Sequence, residues 1–157
     1  MMTIDKEVLV TGGAGFIGSH LVDALIRKGA HVRVIDDLSR GKMGNILHLI
    51  DKVEFIKGDL SDAKIAETAV TDVDLCFHLA AIVGGVDFMN SHPAEIFKSV
   101  AINHNIFEAC RKKDIDRLLF TSSACTYPIN LQTSKEQAPL KEDEVLKSGA
   151  KPDSDYG

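Results

Sequence analysis

Short apolar runs alternate along this chain with longer stretches in which apolar positions recur every three or four residues. Glu7-Val8-Leu9-Val10-Thr11 reads as a first strand, His31 to Ile35 as a second and Lys52 to Ile56 as a third. Val73 to His78 reads as a fourth and Arg117 to Thr121 as a fifth. Between the first two, Ile17, Leu21 and Leu25, widened by Val22 and Ile26, form one stripe at helical spacing. A helix therefore follows the first strand directly, and Gly29 closes it as a C-cap. The stretch from Pro93 to Lys113 predicts a long helix between the fourth and fifth strands. Strands apolar on both faces, alternating with helices, specify a parallel sheet covered on both sides. Right-handed crossovers make this an α/β, doubly wound, Rossmann-type sheet, with a ligand crevice where the first and fourth strands part. From Asn130 to Asp155 the pattern dissolves into a polar loop.

Composition narrows the picture. At 157 residues the chain is expected to form one domain, residues 1–157, with a real core. A net charge of -5 speaks against a nucleic-acid partner, which needs a basic face. No apolar run approaches the roughly 18 residues of a membrane span, and the first seven residues carry no apolar secretory core. Cys76, Cys110 and Cys125 are spaced for neither a zinc site nor a disulfide framework. No metal site is expected, and a reducing cytoplasm is the expected setting.

The candidate chemistry starts between the first strand and the first helix. Thr11-Gly12-Gly13-Ala14-Gly15-Phe16-Ile17-Gly18 satisfies GxGxxG through Gly13, Gly15 and Gly18, and GxxGxxG through Gly12, Gly15 and Gly18. So tight a turn wants residues that tolerate positive φ, and a pyrophosphate reaches helix amides only where no Cβ intervenes. Gly18 is expected to let the helix pack closely on the strand. The motif has its strand before it, its helix after it, and a carboxylate pair, Asp36-Asp37, at the end of the second strand. Asp36 there would accept hydrogen bonds from the adenosine ribose and repel a 2′-phosphate, which favours NAD. Arg40 could neutralise such a phosphate and keeps NADP open. Asp59, in Gly58-Asp59-Leu60, is either a cofactor contact or a cap for a helix starting at Ser61.

Together these residues resemble the extended short-chain dehydrogenase/reductase family of NAD-dependent nucleotide-sugar epimerases and dehydratases, from Glu7 to Gly157. TGGAGFIGSH at 11–20 resembles its phosphate loop. Asp36 matches its ribose acid, and Asp59-Leu60 its adenine contacts. His78-Leu79-Ala80-Ala81 resembles the segment lining the cofactor beside the fourth strand. Ser122-Ser123-Ala124-Cys125-Thr126-Tyr127-Pro128 is similar to its active-site serine motif, and Asp155-Tyr156-Gly157 to the start of its Tyr-x-x-x-Lys helix. Val83-Gly84-Gly85-Val86 and the cysteine-bearing run are most similar to the GDP-mannose 3,5-epimerase branch, with Gly84 and Gly85 beside the substrate. The chain departs from the pattern at Lys98-Ser99, where an asparagine is usual. Asn103 and Asn105, one turn later, are not expected to replace it.

The resemblance implies transient oxidation of the sugar at C4. Tyr156 would be the base, Ser123 would share its oxygen, and Cys125 would be either the proton-exchange residue or a small inert packer. It also implies a nucleotide-sugar substrate, a GDP-sugar by the branch, and a homodimer built on long helices. On the helix 93–113, Ile102, Ile106 and Phe107 are expected to lie uncovered. The expected lysine and a substrate domain do not follow within 157 residues, so the chain reads as the cofactor half of its parent and as inactive alone. The rival readings are a 4-epimerase, a 4,6-dehydratase or a GDP-fucose-synthase-like reductase of the same family, and a non-catalytic NAD-binding module.

Overall fold

The computed structural model describes residues 4–123, 126–127 and 141–143. The chain divides into two compact units, residues 1–120 and 121–157. The first contains five parallel strands: β1 (Glu7–Thr11), β2 (His31–Asp36), β3 (Val53–Lys57), β4 (Leu75–His78) and β5 (Arg117–Phe120). They lie in the order β3-β2-β1-β4-β5. The chain thus leaves β1 first to one side and then to the other, which puts the switch point between β1 and β4 as expected for this fold.

Strand alternation builds two apolar layers, one on each face of the sheet. Val8, Val10, Val32 and Val34 join Val22 and Leu25 of α1 (Phe16–Arg27) in one layer. Leu9, Ile35 and Cys76 join α2 (Ala63–Ala69) and α4 (Pro93–Lys112) in the other, through Ala66, Ala69, Ile102, Ile106 and Cys110. Cys76 and Cys110 are free and buried there, and the Cys110 thiol together with burial pushes the Cys76 thiol up.

Several expected boundaries shift. β2 runs one residue further, because Asp36 still pairs in register with Lys57. Lys52 belongs to a 3-10 turn, Leu47–Lys52, and not to β3. β4 begins at Leu75, after a turn in which Asp72 takes φ +57° and the Asp74 carboxylate accepts the Glu7 amide. β5 ends at Phe120, one residue early. The end of α1 is a Schellman turn: Gly29 (φ +82°) donates to the Ile26 carbonyl, and Ala30 donates to that of Leu25. A short helix unforeseen in the sequence, α3 (Val86–Ser91), follows Gly85.

Helix α4 matches its prediction to within a residue, and Pro93 opens it where its missing N–H costs nothing. Of the three apolar positions expected to lie uncovered, only Phe107 does. Ile102 and Ile106 are buried in the core, whereas Phe97, Val100 and Phe107 are the exposed apolar residues. The apolar stripe faces the sheet because α4 covers it, and the outward face carries what is left over. Among the described residues no helix is long and apolar enough to cross a membrane, and no cluster of His, Cys, Asp and Glu is arranged to hold a metal ion.

Candidate cofactor site

The loop between β1 and α1 is built on close approach of backbones. Of its glycines only Gly12 takes positive φ (+69°), and a Cβ there would lie 3.0 Å from the Ala80 nitrogen. A Cβ on Gly13 would stand 2.6 Å from the Val34 side chain of β2. The close approach expected at Gly18 is made to the loop that directly continues β1. A Cβ there would run into the Gly12 carbonyl oxygen and the Gly13 Cα, so Gly18 folds the helix against its own loop. Gly15 is the N-cap, with no side-chain cap and no acid in the first turn. The amides of Phe16, Ile17 and Gly18 therefore start a helix whose partial positive charge no side chain of the loop offsets. The Phe16 and Ile17 side chains are exposed. A cradle packed this closely, with no side-chain cap on the first amides of α1, fits a pyrophosphate.

Asp36, at the end of β2, is buried and aims at this loop. Its Oδ2 accepts the Ala14 amide at 3.0 Å and its Oδ1 the Leu38 amide at 2.8 Å. That second bond closes a turn in which Leu38 holds φ +63°, a conformation a leucine adopts only under constraint. Each carboxylate oxygen keeps an acceptor site for a further donor. Asp37 is exposed, and its Oδ1 accepts the Ser39 amide and hydroxyl. Arg40 lies over the Phe88 ring of α3 at 4.8 Å. The Phe88 ring also fills the space that a Cβ on Gly84 would need, and Gly85 caps α3 with open space around it.

The opposite wall of the loop is the segment after β4. Thr11 and His78 are register partners at the ends of adjacent strands. The Thr11 hydroxyl oxygen accepts the amides of Leu79 (3.1 Å) and Ala80 (3.0 Å), so its proton goes to His78 Nδ1, 2.7 Å away. Nε2 of the ring then carries its own proton and donates to Asn103 Oδ1 at 2.9 Å. Burial holds His78 below its ordinary pKa, with Asn103 pulling the other way, so the ring stays neutral. This relay fixes Leu79 and Ala80 directly over Gly12.

Helix α4 holds three edges of the site. Ser99 is buried and its hydroxyl accepts the Ile82 amide at 2.9 Å. Asn103 takes His78, and Asn105 donates to the Leu60 and Ser61 carbonyls at 2.9 and 3.0 Å. Both asparagines are thus engaged with His78 and with the turn after β3. Lys98 meets Asp59 Oδ2 at 2.5 Å. Asp59 does not cap α2, because Asp62 does so by accepting the Lys64 amide at 2.8 Å. Asp59 Oδ1 instead accepts the Ser61 amide at 2.9 Å. Partial burial pushes the Asp59 carboxyl up, but Lys98 and Ser61 outweigh it and hold the group below the usual carboxylate range.

In the second unit, Ser122 takes φ +45°, and the Ser123 carbonyl accepts the Thr126 amide at 3.2 Å and hydroxyl at 2.7 Å, a tight turn. Cys125 and Tyr156 lie outside the described residues. Sequence reading passes over the parts played by Thr11, Lys98, Ser99 and Asn103. A usable signal exists for Thr11 and His78: two polar residues at matching ends of otherwise apolar strands need each other once buried.

The sequence pattern of the NAD dependent epimerase/dehydratase family matches residues 8–157. A UDP-glucose 4-epimerase of Halalkalibacterium halodurans is 34% identical over 125 residues, 76% of this chain and 35% of that protein. The GDP-mannose 3,5-epimerase of Arabidopsis thaliana is 32% identical over 155 residues, 96% of this chain and 39% of that protein. The solved UDP-glucose 4-epimerase of Thermus thermophilus, in complex with NAD, superposes with a TM-score of 0.78 at 32% identity, covering 96% of this chain and 46% of that one. The chain spans less than half the length of the curated relatives it matches.

Proposed function

The chain belongs to the NAD-dependent epimerase/dehydratase family, and on that premise we propose that it carries the NAD site of a nucleotide-sugar epimerase. The observation that carries this reading is the cradle of Gly12, Gly13, Gly15 and Gly18, with Asp36 bonded to it through Ala14. In this reading the loop and the first-turn amides of α1 hold the pyrophosphate. Asp36 and Asp37 face the adenosine ribose, Asp59 and Leu60 the adenine, and Leu79, Ala80 and Ala81 the far side of the dinucleotide. Asp36 selects NAD, since Arg40 is engaged on Phe88 and a 2′-phosphate would meet the buried carboxylate.

When bound, NAD supplies the oxidant and then the reductant for a ketone formed transiently at the sugar C4. The chain's own groups move the protons. Tyr156 takes the proton of the C4 hydroxyl, and Ser123 hydrogen-bonds the same oxygen and fixes its position. A phenol with a pKa of about 10 is a poor base at neutral pH, so positive charge nearby is required. In the family pattern a lysine four residues after the tyrosine provides it. Cys125 exchanges protons at the carbons beside the ketone; Gly85, with open space around it, leaves room for the sugar, whereas Gly84 makes room for the Phe88 ring of α3 beside it.

The glycine pair and Cys125 favour a GDP-sugar and 3,5-epimerisation. A second reading, 4-epimerisation of a UDP-sugar, draws on the similarity to UDP-glucose 4-epimerases. Calorimetric titration of the chain with NAD and NADP tests the cofactor, and NAD is expected to bind more tightly. Incubation of the full-length gene product with NAD and either GDP-mannose or UDP-glucose in D2O tests the reaction. Deuterium at C3 and C5 of the GDP-sugar marks the first reading, and inversion at C4 without solvent deuterium marks the second. Tight NAD binding with no turnover of any nucleotide-sugar would leave only a binding module.

A further inference from the structure

Lys98, next to the serine that departs from the family pattern, closes the adenosine end of the site. Its ammonium reaches from α4 to Asp59 Oδ2, at 2.5 Å, while the Ser61 amide takes Oδ1 at 2.9 Å. Both carboxylate oxygens are therefore fixed, and each keeps an acceptor site for another donor. Seven residues along the same helix, on the same face, Asn105 donates to the Leu60 and Ser61 carbonyls. The turn 59–61 is thus pinned to α4 at both ends. Three carboxylates cluster here, because β2 and β3 are neighbours: Asp36 and Asp37 at the end of one, Asp59 just past the other. Asp37 adds a weaker attraction on Lys98 to that of Asp59.

An ion pair this exposed adds little to folding. Both side chains are 40% accessible, and pairs in such settings contribute about 0–1 kcal/mol. Its consequence lies in what it orients. A dinucleotide brings two negative charges of its own to a rim that already carries three, and an unpinned Asp59 would rotate away from a donor on the base.

We propose that Lys98 is a positioning residue for the adenosine half of the cofactor, fixing Asp59 for the base and offsetting the charge of the strand-end carboxylates. This rests on the reading that the site takes NAD. Loss of the ammonium frees Asp59 to rotate, and leaves it to titrate among Asp37, Asp36 and the Ser61 amide without a cation beside it.

The test is calorimetric titration of the chain, as wild type and as Lys98→Met, Lys98→Gln and Lys98→Arg, with NAD and with ADP-ribose. Lys98→Met and Lys98→Gln are expected to weaken both ligands about five- to tenfold, and Lys98→Arg to recover most of that loss. Unfolding midpoints should stay within about 2 °C of wild type, since a surface pair is removed. As pH falls towards the ordinary carboxylate range, the affinity of Lys98→Met should begin to drop before that of wild type, because Asp59 has lost the cation that helps hold it low. Wild type binding NAD with Lys98→Met binding it equally well overturns the inference alone. A large fall in unfolding midpoint without recovery by arginine also overturns it, by making Lys98 structural. Wild type binding neither ligand overturns the NAD reading, and the inference with it.

Discussion

The hydroxyl of Thr11 and the Nδ1 of His78 meet at 2.7 Å between adjacent strands, and this one contact ties the glycine loop to the segment that covers it. Thr11 ends β1 where the loop begins, and His78 ends β4 where Leu79 and Ala80 begin. A single oxygen accepts both of those amides and donates to the ring. The shape of the site therefore depends on a hydrogen-bond network that is buried and fully paired. Such networks are costly to break at one member.

Thr11→Val removes the oxygen and keeps the volume. Leu79 retains a longer bond, 3.3 Å, to the Thr11 carbonyl, but the half-buried Ala80 amide and the fully buried His78 ring lose their partner. A loss of about 1–3 kcal/mol in unfolding free energy is expected from urea denaturation, with an unchanged m-value. A loss below about 0.5 kcal/mol would mean that water or a side-chain shift restores the bonds.

The pH dependence of stability follows from the same ring. His78 in the folded chain titrates below its ordinary value of 6.5, so the unfolded chain binds the proton first as pH falls. The stability from the neutral ring is complete above about pH 6.5 and is lost below it, at no more than about 1.4 kcal/mol per pH unit. Asp59 acts in a lower window. Its depressed carboxyl contributes stability above about 3.8, and that is lost as pH falls through its folded value. Urea midpoints across pH 5 to 7 should rise with pH, and His78→Gln should flatten the slope. Nitrogen-15 shifts of the His78 ring should report the neutral, Nε2-protonated form at pH 6.

Two glycine substitutions should part company. Gly18→Ala puts a methyl group into the Gly12 carbonyl and the Gly13 Cα, both backbone, so the loop must move. NAD affinity should fall more than about tenfold and stability by about 1–3 kcal/mol. Gly44→Ala meets nothing within 4 Å. It should leave binding unchanged and leave stability equal or higher by a few tenths of a kcal/mol, through the unfolded chain. Equal effects at the two positions would remove the loop from the binding argument.

Asp36→Ala should do more than narrow the preference for NAD over NADP. Its carboxylate holds the Ala14 amide in the loop and the Leu38 amide in a left-handed turn. Affinity for inorganic pyrophosphate, which has no ribose, should fall along with that for NAD, whereas loss of a pure ribose contact would leave it as it is. Comparative titration of NAD, NADP and pyrophosphate separates the two. Unchanged pyrophosphate affinity would show that the loop holds its shape without Asp36.

The linear order of residues determines the doubly wound sheet, because the period of apolar positions and the place of glycines are local properties. Val8 and Val10 alternate with Leu9 whatever surrounds them, and that alternation assigns them to opposite layers. The phosphate loop is equally local: strand, glycines and helix are consecutive, so Gly12 to Gly18 and Asp36 were legible from spacing. The outward face of α4 was not. Which of Ile102, Ile106 and Phe107 is covered depends on how the helix rolls on a sheet built from distant segments. Asp62 caps α2 because the helix begins at Ala63, two residues later than expected, but spacing could not reveal that Asp59 meets Lys98, 39 residues away. Thr11 finds His78 across 67 residues and His78 finds Asn103 across 25. Those pairings exist only because strand order and register carry the two polar ends together, where burial from water makes each of them need the other.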